Sequence, residues 1–320
     1  MHIFKSMITL KIKIIGSLQP DVSYLKDIIS HSMVSGIRFN TAIPFEIPKR
    51  KILYQFKKKI FPKKLWVDLK CRELRIKEQV TIPNDLIELN HQIEIKTPTI
   101  MYYNEGEKYL VIDEIINGNK LKIRIPKNAP NDFKICFGKS ASVNIPEVQK
   151  IYGYLTDNDR EYIQAALEND IHDFMISYVE DPSDIKEVLE LDPNASIIAK
   201  IESEKGLEFV KSHYNDFKEK VHLMVARGDL YIELDRPHKI LNAMKIIIEK
   251  DPDAIAASRI LLSVLNSEQI PNCTDICDIG FILQLGYKNL LLGDHVCEDE
   301  STLKNAIGIL EAIQNDFLNS

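Results

Sequence analysis

The sequence predicts an α/β protein, a (β/α)8 TIM barrel with a small β-rich domain inserted after the third strand. Two observations carry this expectation. Eight β-rich runs alternate with amphipathic helical stretches, the order expected of parallel βα units. Between the third run and the fourth, Arg75 to Ser142 instead reads as strand after strand with turn punctuation, including Asn117-Gly118. At 320 residues, 45% hydrophobic and 28% charged, the chain can bury such a core. It also exceeds one typical domain of about 100–200 residues.

The strands are expected at Ile8 to Ile15, Ser35 to Asn40, Leu65 to Lys70, Asp173 to Val179, Ser196 to Glu202, His222 to Ala226, Ala254 to Ser258 and Asn289 to Gly293. Helical periodicity is expected over Asp21 to Ser32, Ile47 to Ile60, Asp157 to Glu168, Ser183 to Leu191, Lys205 to His213, Arg236 to Lys250 and Cys273 to Leu285. A last helix, Ser301 to Phe317, closes the series. Residues 1–74 and 143–320 then form the barrel and residues 75–142 the insert, a lid over its mouth. In a barrel of this kind chemistry belongs at the C-terminal strand ends.

Composition narrows the function. With 41 basic and 47 acidic side chains the formal charge is −6, so a global attraction to nucleic acid or to an anionic membrane is not expected. Small-molecule chemistry is the better expectation. Lys11 and Lys13 interrupt what would be the apolar core of a signal peptide, so Met1 to Gly16 reads as a strand. No apolar run reaches the roughly 18 residues of a membrane span. Five cysteines, Cys71, Cys136, Cys273, Cys277 and Cys297, form no disulfide or zinc framework, which points to a reducing, cytoplasmic home.

Two strand ends carry the chemistry. Alternation along the fifth strand puts Lys200 and Glu202 on one face, and such a charge pair on an apolar strand needs partners or a bound ion. After the sixth strand, Ala226-Arg227-Gly228-Asp229 brings a second carboxylate to the neighbouring end. Glu202 and Asp229 together make a hard oxygen site suited to Mg²⁺ or Mn²⁺.

The segments Ile197-Ile198-Ala199-Lys200-Ile201-Glu202 and Met224-Val225-Ala226-Arg227-Gly228-Asp229-Leu230 resemble two motifs of the pyruvate kinase family. Gly36-Ile37-Arg38-Phe39-Asn40, Val67-Asp68-Leu69-Lys70-Cys71-Arg72-Glu73-Leu74-Arg75, Ser142-Val143-Asn144-Ile145-Pro146 and Asp173-Phe174-Met175-Ile176-Ser177-Tyr178-Val179 extend the resemblance, in order, over nearly the whole chain. The resemblance implies Mg²⁺-dependent phosphoryl transfer between phosphoenolpyruvate and an acceptor, ADP in the family, giving pyruvate. Glu202 and Asp229 would ligate the divalent ion and Lys200 would hold the transferred phosphoryl group. The amides around Gly228 and Asp229 and the Ser258 hydroxyl would hold the substrate carboxylate. Arg38 and Arg75 match the family's phosphate-facing arginines, and Asn40, Asp68 and Glu73 resemble elements of its K⁺ site. The partners implied are phosphoenolpyruvate or pyruvate and ADP or ATP, and a homo-oligomer is compatible with the family.

Departures accompany the resemblance. Where the family has Phe-Ser-His-Gly, this chain has Thr41-Ala42-Ile43-Pro44, losing a hydroxyl ligand for K⁺ and a histidine near the nucleotide. Cys71-Arg72 replaces the Gly-Pro hinge, Leu292-Gly293-Asp294-His295 replaces Ser-Gly-Glu-Thr, and the family's C-terminal regulatory domain is expected to be missing. Two other readings stay open: a phosphoenolpyruvate- or pyruvate-binding lyase or aldolase, and a non-catalytic paralogue. Weaker signals read as structure. Cys273 and Cys277 suit helix packing or a surface, and the eight basic residues in 49–64 suit a solvated amphipathic helix.

Overall fold

Side chains alternate across a β-strand, so a strand buried on both faces must place one apolar set inward and another outward. The computed structural model describes residues 11–125, 130, 133–266 and 268–317. In it eight parallel strands close into a barrel: β1 (Lys13–Ser17), β2 (Val34–Asn40), β3 (Lys64–Leu69), β4 (Asp173–Ile176), β5 (Ser196–Ile201), β6 (Val221–Ala226), β7 (Ile255–Ala257) and β8 (Asn289–Leu292). They follow one another around the barrel, with β8 pairing back to β1 through Ile14↔Leu290.

The alternation sorts the core into two layers. Ile15, Trp66, Met175, Ile198, Met224, Ile255, Ala257 and Leu291 form one small buried cluster, the barrel interior. Their strand neighbours Ile14, Val67, Phe174, Ile197, Leu223, Ala256 and Leu290 belong to the larger cluster shared with the outer helices. Gly36 makes room inside: a Cβ there would sit 3.1 Å from the Trp66 ring and 3.2 Å from the Lys64 carbonyl. Continuing the inward register past the apolar layer brings Ser17, Arg38, Asn40, Asp68, Lys70, Lys200 and Glu202 to the C-terminal mouth.

The helices include α1 (Leu25–Ser30), α2 (Lys49–Ile60), α3 (Asp157–Leu167), α4 (Pro182–Leu191), α5 (Glu204–Ser212), α6 (Arg227–Glu233), α7 (Ile240–Lys250), α8 (Cys273–Leu285), α9 (Asp294–Cys297) and α10 (Glu300–Phe317). Helix α2 is the amphipathic element expected, burying Ile52, Leu53, Phe56 and Ile60 under its lysines. Helix α1 is shorter than the periodicity suggests. The fourth strand stops at Ile176 because Tyr178 turns into the left-handed region (φ 50°). The expected first strand begins at Ile8, and its residues 8–10, like most of Met1 to Gly16, lie outside the described residues.

Between β3 and β4 the chain builds separate antiparallel sheets. Ile87–Glu88, Lys120–Arg124, Lys108–Ile116 and Thr99–Tyr103 form one of four strands. Val80–Ile82 pairs with Ile135–Phe137, and Ile93–Glu94 with Lys150–Ile151. Asn117 (φ 52°) and Gly118 (φ 77°) turn the longest hairpin, and two consecutive left-handed residues are what such a tight turn requires. A separate apolar core, including Ile76, Leu89, Met101, Ile112 and Phe137, holds these sheets.

Asp159 ties the exit of β3 to α3. Fully buried, it accepts the Lys70 and Cys71 amides at 2.8 and 3.0 Å while closing the capping box with Thr156. Cys71 is itself left-handed (φ 46°), so this carboxylate fixes the backbone where the chain leaves the barrel. Asp159→Ala orphans those buried amides, and urea denaturation should show a loss of about 2–4 kcal/mol. A loss below about 1 kcal/mol, the size of an ordinary cap, would show that the β3 exit does not depend on Asp159.

Candidate active site

The mouth opens as a cavity of about 440 Å³ lined by groups from several strand ends, among them Arg38, Lys70, Arg75, Lys200, Glu202, Gly228, Asp229 and Ser258. Asp68 lies beneath it, fully buried. Its Oδ2 accepts Arg38 Nε at 2.8 Å and Lys70 Nζ at 2.6 Å. Its Oδ1 is buried, makes no hydrogen bond and faces Lys200 Nζ at 3.4 Å. Burial alone would raise this carboxyl, but Arg38, Lys200 and Lys70 hold it well below the ordinary carboxylate range.

Lys200 Nζ donates to Ser177 Oγ at 2.7 Å and lies 3.3 Å from Glu202 Oε1. Its burial opposes the charge, yet Asp68, Glu202 and Glu73 outweigh it, so the ammonium is held above the usual lysine value. Burial instead pulls Lys70 down to about 8, only partly offset by Asp68.

Glu202 and Asp229 have the opposite problem. Glu202 Oε2 accepts the Tyr178 amide at 2.7 Å, and burial pushes its carboxyl up to about 7. Asp229 is raised by burial and by the Glu73 charge. Its Oδ1 accepts from Asn144 Nδ2 at 3.1 Å, an amide that also reaches Tyr178 Oη at 2.8 Å and Glu233 Oε1 at 3.2 Å. Burial carries Glu233 up to about 8.

Around this pair stand the remaining residues singled out in the sequence. Gly228 and Asp229 lie in the first turn of α6. A Cβ at Gly228 would lie 3.4 Å from Ser258 Cβ and 3.5 Å from its Oγ, so the glycine leaves open the space between the helix start and that hydroxyl. Arg38 also reaches Asp294 at 3.1 Å and Ser17 Oγ at 2.7 Å. Arg75 is held by Glu73 at 2.6 Å and donates to the Ser140 carbonyl, while its buried Nε has no partner among the described residues. Asn40 donates to Asp294 Oδ2 at 2.9 Å and accepts the Ala42 amide at 3.1 Å. The insert touches the mouth through Glu105, whose carboxylate lies 3.2 Å from His295 Nε2 and whose carbonyl accepts from Arg259 at 2.9 Å.

The residues given site roles in the sequence therefore gather at one end of the barrel. Asp294, Asn144, Glu233, Lys70 and Ser177 join them without having been given a role in the sequence. Lys70 was within reach by alternation from Asp68, and Glu233 by its four-residue spacing from Asp229 on one helix face. Asp294 and Asn144 lie in segments quoted for the family resemblance, but they reach the site from parts of the chain distant in sequence. Cys273 and Cys277 lie apart from the site, exposed, with sulfurs 3.8 Å apart.

A closed barrel with charged groups converging on its C-terminal mouth defines a (β/α)8 enzyme-like architecture. The family model for the barrel domain of pyruvate kinase matches residues 64–288, and the chain belongs to the pyruvate kinase family. It is 26% identical over 301 residues to a pyruvate kinase of Methanocaldococcus jannaschii, covering 89% of this chain and 64% of that protein. A pyruvate kinase of Borreliella burgdorferi is 25% identical over 317 residues, covering 90% of this chain and 64% of its own length. Pyruvate kinase 1 of Saccharomyces cerevisiae is 28% identical over 197 residues, 58% of this chain and 37% of the yeast protein. The chain thus spans less than two thirds of the length of these relatives. Among the described residues no helix is long and apolar enough to cross a membrane.

The raised Glu202 carboxyl sets a pH dependence. The native state binds its proton more tightly than the unfolded chain, so the stability it contributes is full below about 4.5 and is lost as pH rises through about 7. Without divalent ions, Glu202→Gln should therefore gain on the parent between pH 5 and pH 8, by on the order of 2–3 kcal/mol in urea denaturation. A difference that stays constant across that range would show that Glu202 is not held in a proton-binding environment.

Proposed function

We propose that the chain is a phosphotransferase that moves the phosphoryl group of phosphoenolpyruvate to an acceptor, a nucleoside diphosphate, and releases pyruvate. The observation that carries this is the convergence of Lys200, Glu202 and Asp229 in one cavity with the start of α6 and the Ser258 hydroxyl. Membership of the pyruvate kinase family supports it.

Glu202 and Asp229 suit a divalent cation. Buried Glu202 and half-buried Asp229, both raised, would have their negative charge neutralised by a hard cation, and two protein ligands leave coordination positions to substrate oxygens and water. Mg²⁺ or Mn²⁺ held there would supply charge neutralisation for the phosphoryl and enol oxygens. Lys200 supplies an ammonium that stays charged at neutral pH and is already oriented by Ser177, Glu202 and Asp68. It stabilises negative charge on the phosphoryl oxygens as the enol P–O bond breaks and the bond to the acceptor forms. The Gly228 and Asp229 amides, in the first turn of α6, and Ser258 Oγ donate to the substrate carboxylate. The enolate then takes a proton at its methylene carbon to become pyruvate.

Arg38 and Arg75 stand at the phosphate side of the cavity. Arg38 is committed to Asp68 and Asp294, so it acts by holding the charge pattern, and Arg75, held by Glu73, lines the same cavity as a second guanidinium for an oxyanion. K⁺ has a minor part, because Ala42 offers no hydroxyl, Asn40 is taken by Asp294 and Asp68 by cations. The insert serves as the lid, its tip carried to the mouth by Glu105.

The test is phosphoenolpyruvate consumption and pyruvate release with a panel of nucleoside diphosphates, with and without K⁺. Pyruvate should accumulate only with Mg²⁺ and a diphosphate, and K⁺ should change the rate only modestly. Lys200→Met should lower turnover by about 10²–10³, the size of a lost electrostatic contribution of roughly 3–4 kcal/mol. Metal and phosphoenolpyruvate binding should persist in that variant. Turnover equal to the parent would remove Lys200 from the mechanism. No turnover in either protein, with binding intact, would favour a non-catalytic relative.

A further inference from the structure

The loop after β7 is the most contorted part of the mouth. Ser258 (φ 67°), Arg259 (φ 55°) and Leu261 (φ 54°) all occupy the left-handed region, and none is a glycine. Such backbone persists only where surrounding contacts over-determine it. Ile260 and Leu261 are packed into the core and the Leu261 carbonyl accepts from the Val264 amide, while the carbonyls of Ser258 and Arg259 are held by one side chain. Arg227 is buried, and its Nε and Nη2 donate to the Ser258 carbonyl at 3.2 and 2.8 Å. Nη2 also donates to the Arg259 carbonyl at 3.1 Å. Nη1 lies 2.7 and 2.9 Å from the two oxygens of Asp278, on α8 in the outer layer.

Arg227 is also the first residue of α6, immediately before Gly228 and Asp229. One guanidinium thus links the two halves of a cradle, the helix start on one side and the Ser258 backbone on the other. Its planar fork matters: an ammonium could not span two successive carbonyls and a carboxylate at once. Removing the Asp278 charge would leave the fork free to swing and the strained loop free to relax.

We propose that Arg227 is a positioning residue for the substrate carboxylate, anchored by Asp278, which fixes the Ser258 hydroxyl relative to the Gly228 and Asp229 amides. This rests on the phosphoenolpyruvate reading above, since that substrate supplies the carboxylate. Asp278 touches neither the cavity nor the metal carboxylates, so its effect must pass through Arg227.

The experiment compares the parent, Asp278→Asn and Arg227→Lys in three measurements: Mn²⁺ affinity, phosphoenolpyruvate affinity in the presence of Mn²⁺, and amide hydrogen exchange over residues 258–262. In Asp278→Asn phosphoenolpyruvate affinity should fall about tenfold, as for one charge-assisted hydrogen bond lost or misaligned, and further in Arg227→Lys. Mn²⁺ affinity should change by less than about threefold, and the loop amides should exchange at least about tenfold faster while those of the barrel strands do not. Equal losses for Mn²⁺ and phosphoenolpyruvate, unchanged phosphoenolpyruvate affinity, or unchanged loop exchange would each overturn the proposal. If Arg227→Lys does not fold, Asp278→Asn alone decides, because its side chain is partly exposed and asparagine keeps its size. A parent that binds no phosphoenolpyruvate would overturn the substrate reading, while the exchange of the loop would still decide whether Arg227 holds it.

Discussion

Asp68 sits at zero exposure where the inward face of β3 meets the mouth, and Arg38, Lys70 and Lys200 all converge on it. Ions taken out of water cost several kcal/mol each unless matched by counter-charge at close range. Without Asp68, three cations would face one another in a dry barrel end. With it, Arg38 can reach across to Ser17 on β1 and to Asp294 at the start of α9, and Lys200 can be held toward Glu202. The apolar interior layer directly beneath, Met175, Met224 and Ile198 among it, keeps water from relieving any imbalance.

The charges at the mouth divide its carboxylates into two groups. Arg38, Lys70, Arg75 and Lys200 stand among the carboxylates of Asp68, Glu73, Glu202, Asp229 and Asp294, with Arg259, Glu105 and Glu298 also lining the cavity. Three of these carboxylates, Asp68, Glu73 and Asp294, are held below the ordinary range by their cationic neighbours. Glu202 and Asp229, like Glu233 beyond Asn144, are instead raised, because burial there outweighs the cations.

The barrel was legible because period-two alternation and βα order are local properties, visible in each strand by itself. Lys200, Glu202, Gly228 and Asp229 were legible for the same reason, being polar or flexible residues at the ends of apolar runs. The hairpin between β3 and β4 was legible through its turn, since Asn117-Gly118 needs no tertiary context to mark it. What stayed hidden depends on the closed barrel. Asp294 meets Arg38 across more than 250 residues of sequence, and Asn144 meets Asp229 and Glu233 only after the chain returns from the insert. Strand ends were shifted by a few residues where left-handed turns at Cys71, Tyr178 and Ser258 stop the ladder, because those turns are imposed by tertiary hydrogen bonds and not by residue type.

The claim that one buried carboxylate holds the cations of the mouth is tested most directly by titrating Lys70 by NMR, in the parent and in Asp68→Asn. Lys70 lies 2.6 Å from Asp68, is lowered by burial and is raised in part by that carboxylate, giving about 8 in the parent. Neutralising Asp68 leaves burial and the repulsion of Arg38 and Lys200 unopposed, so Lys70 should titrate lower still, by about one unit or more. Titration near the ordinary lysine value in both proteins would contradict the account, because it would mean that Lys70 is solvated and that Asp68 does not anchor it.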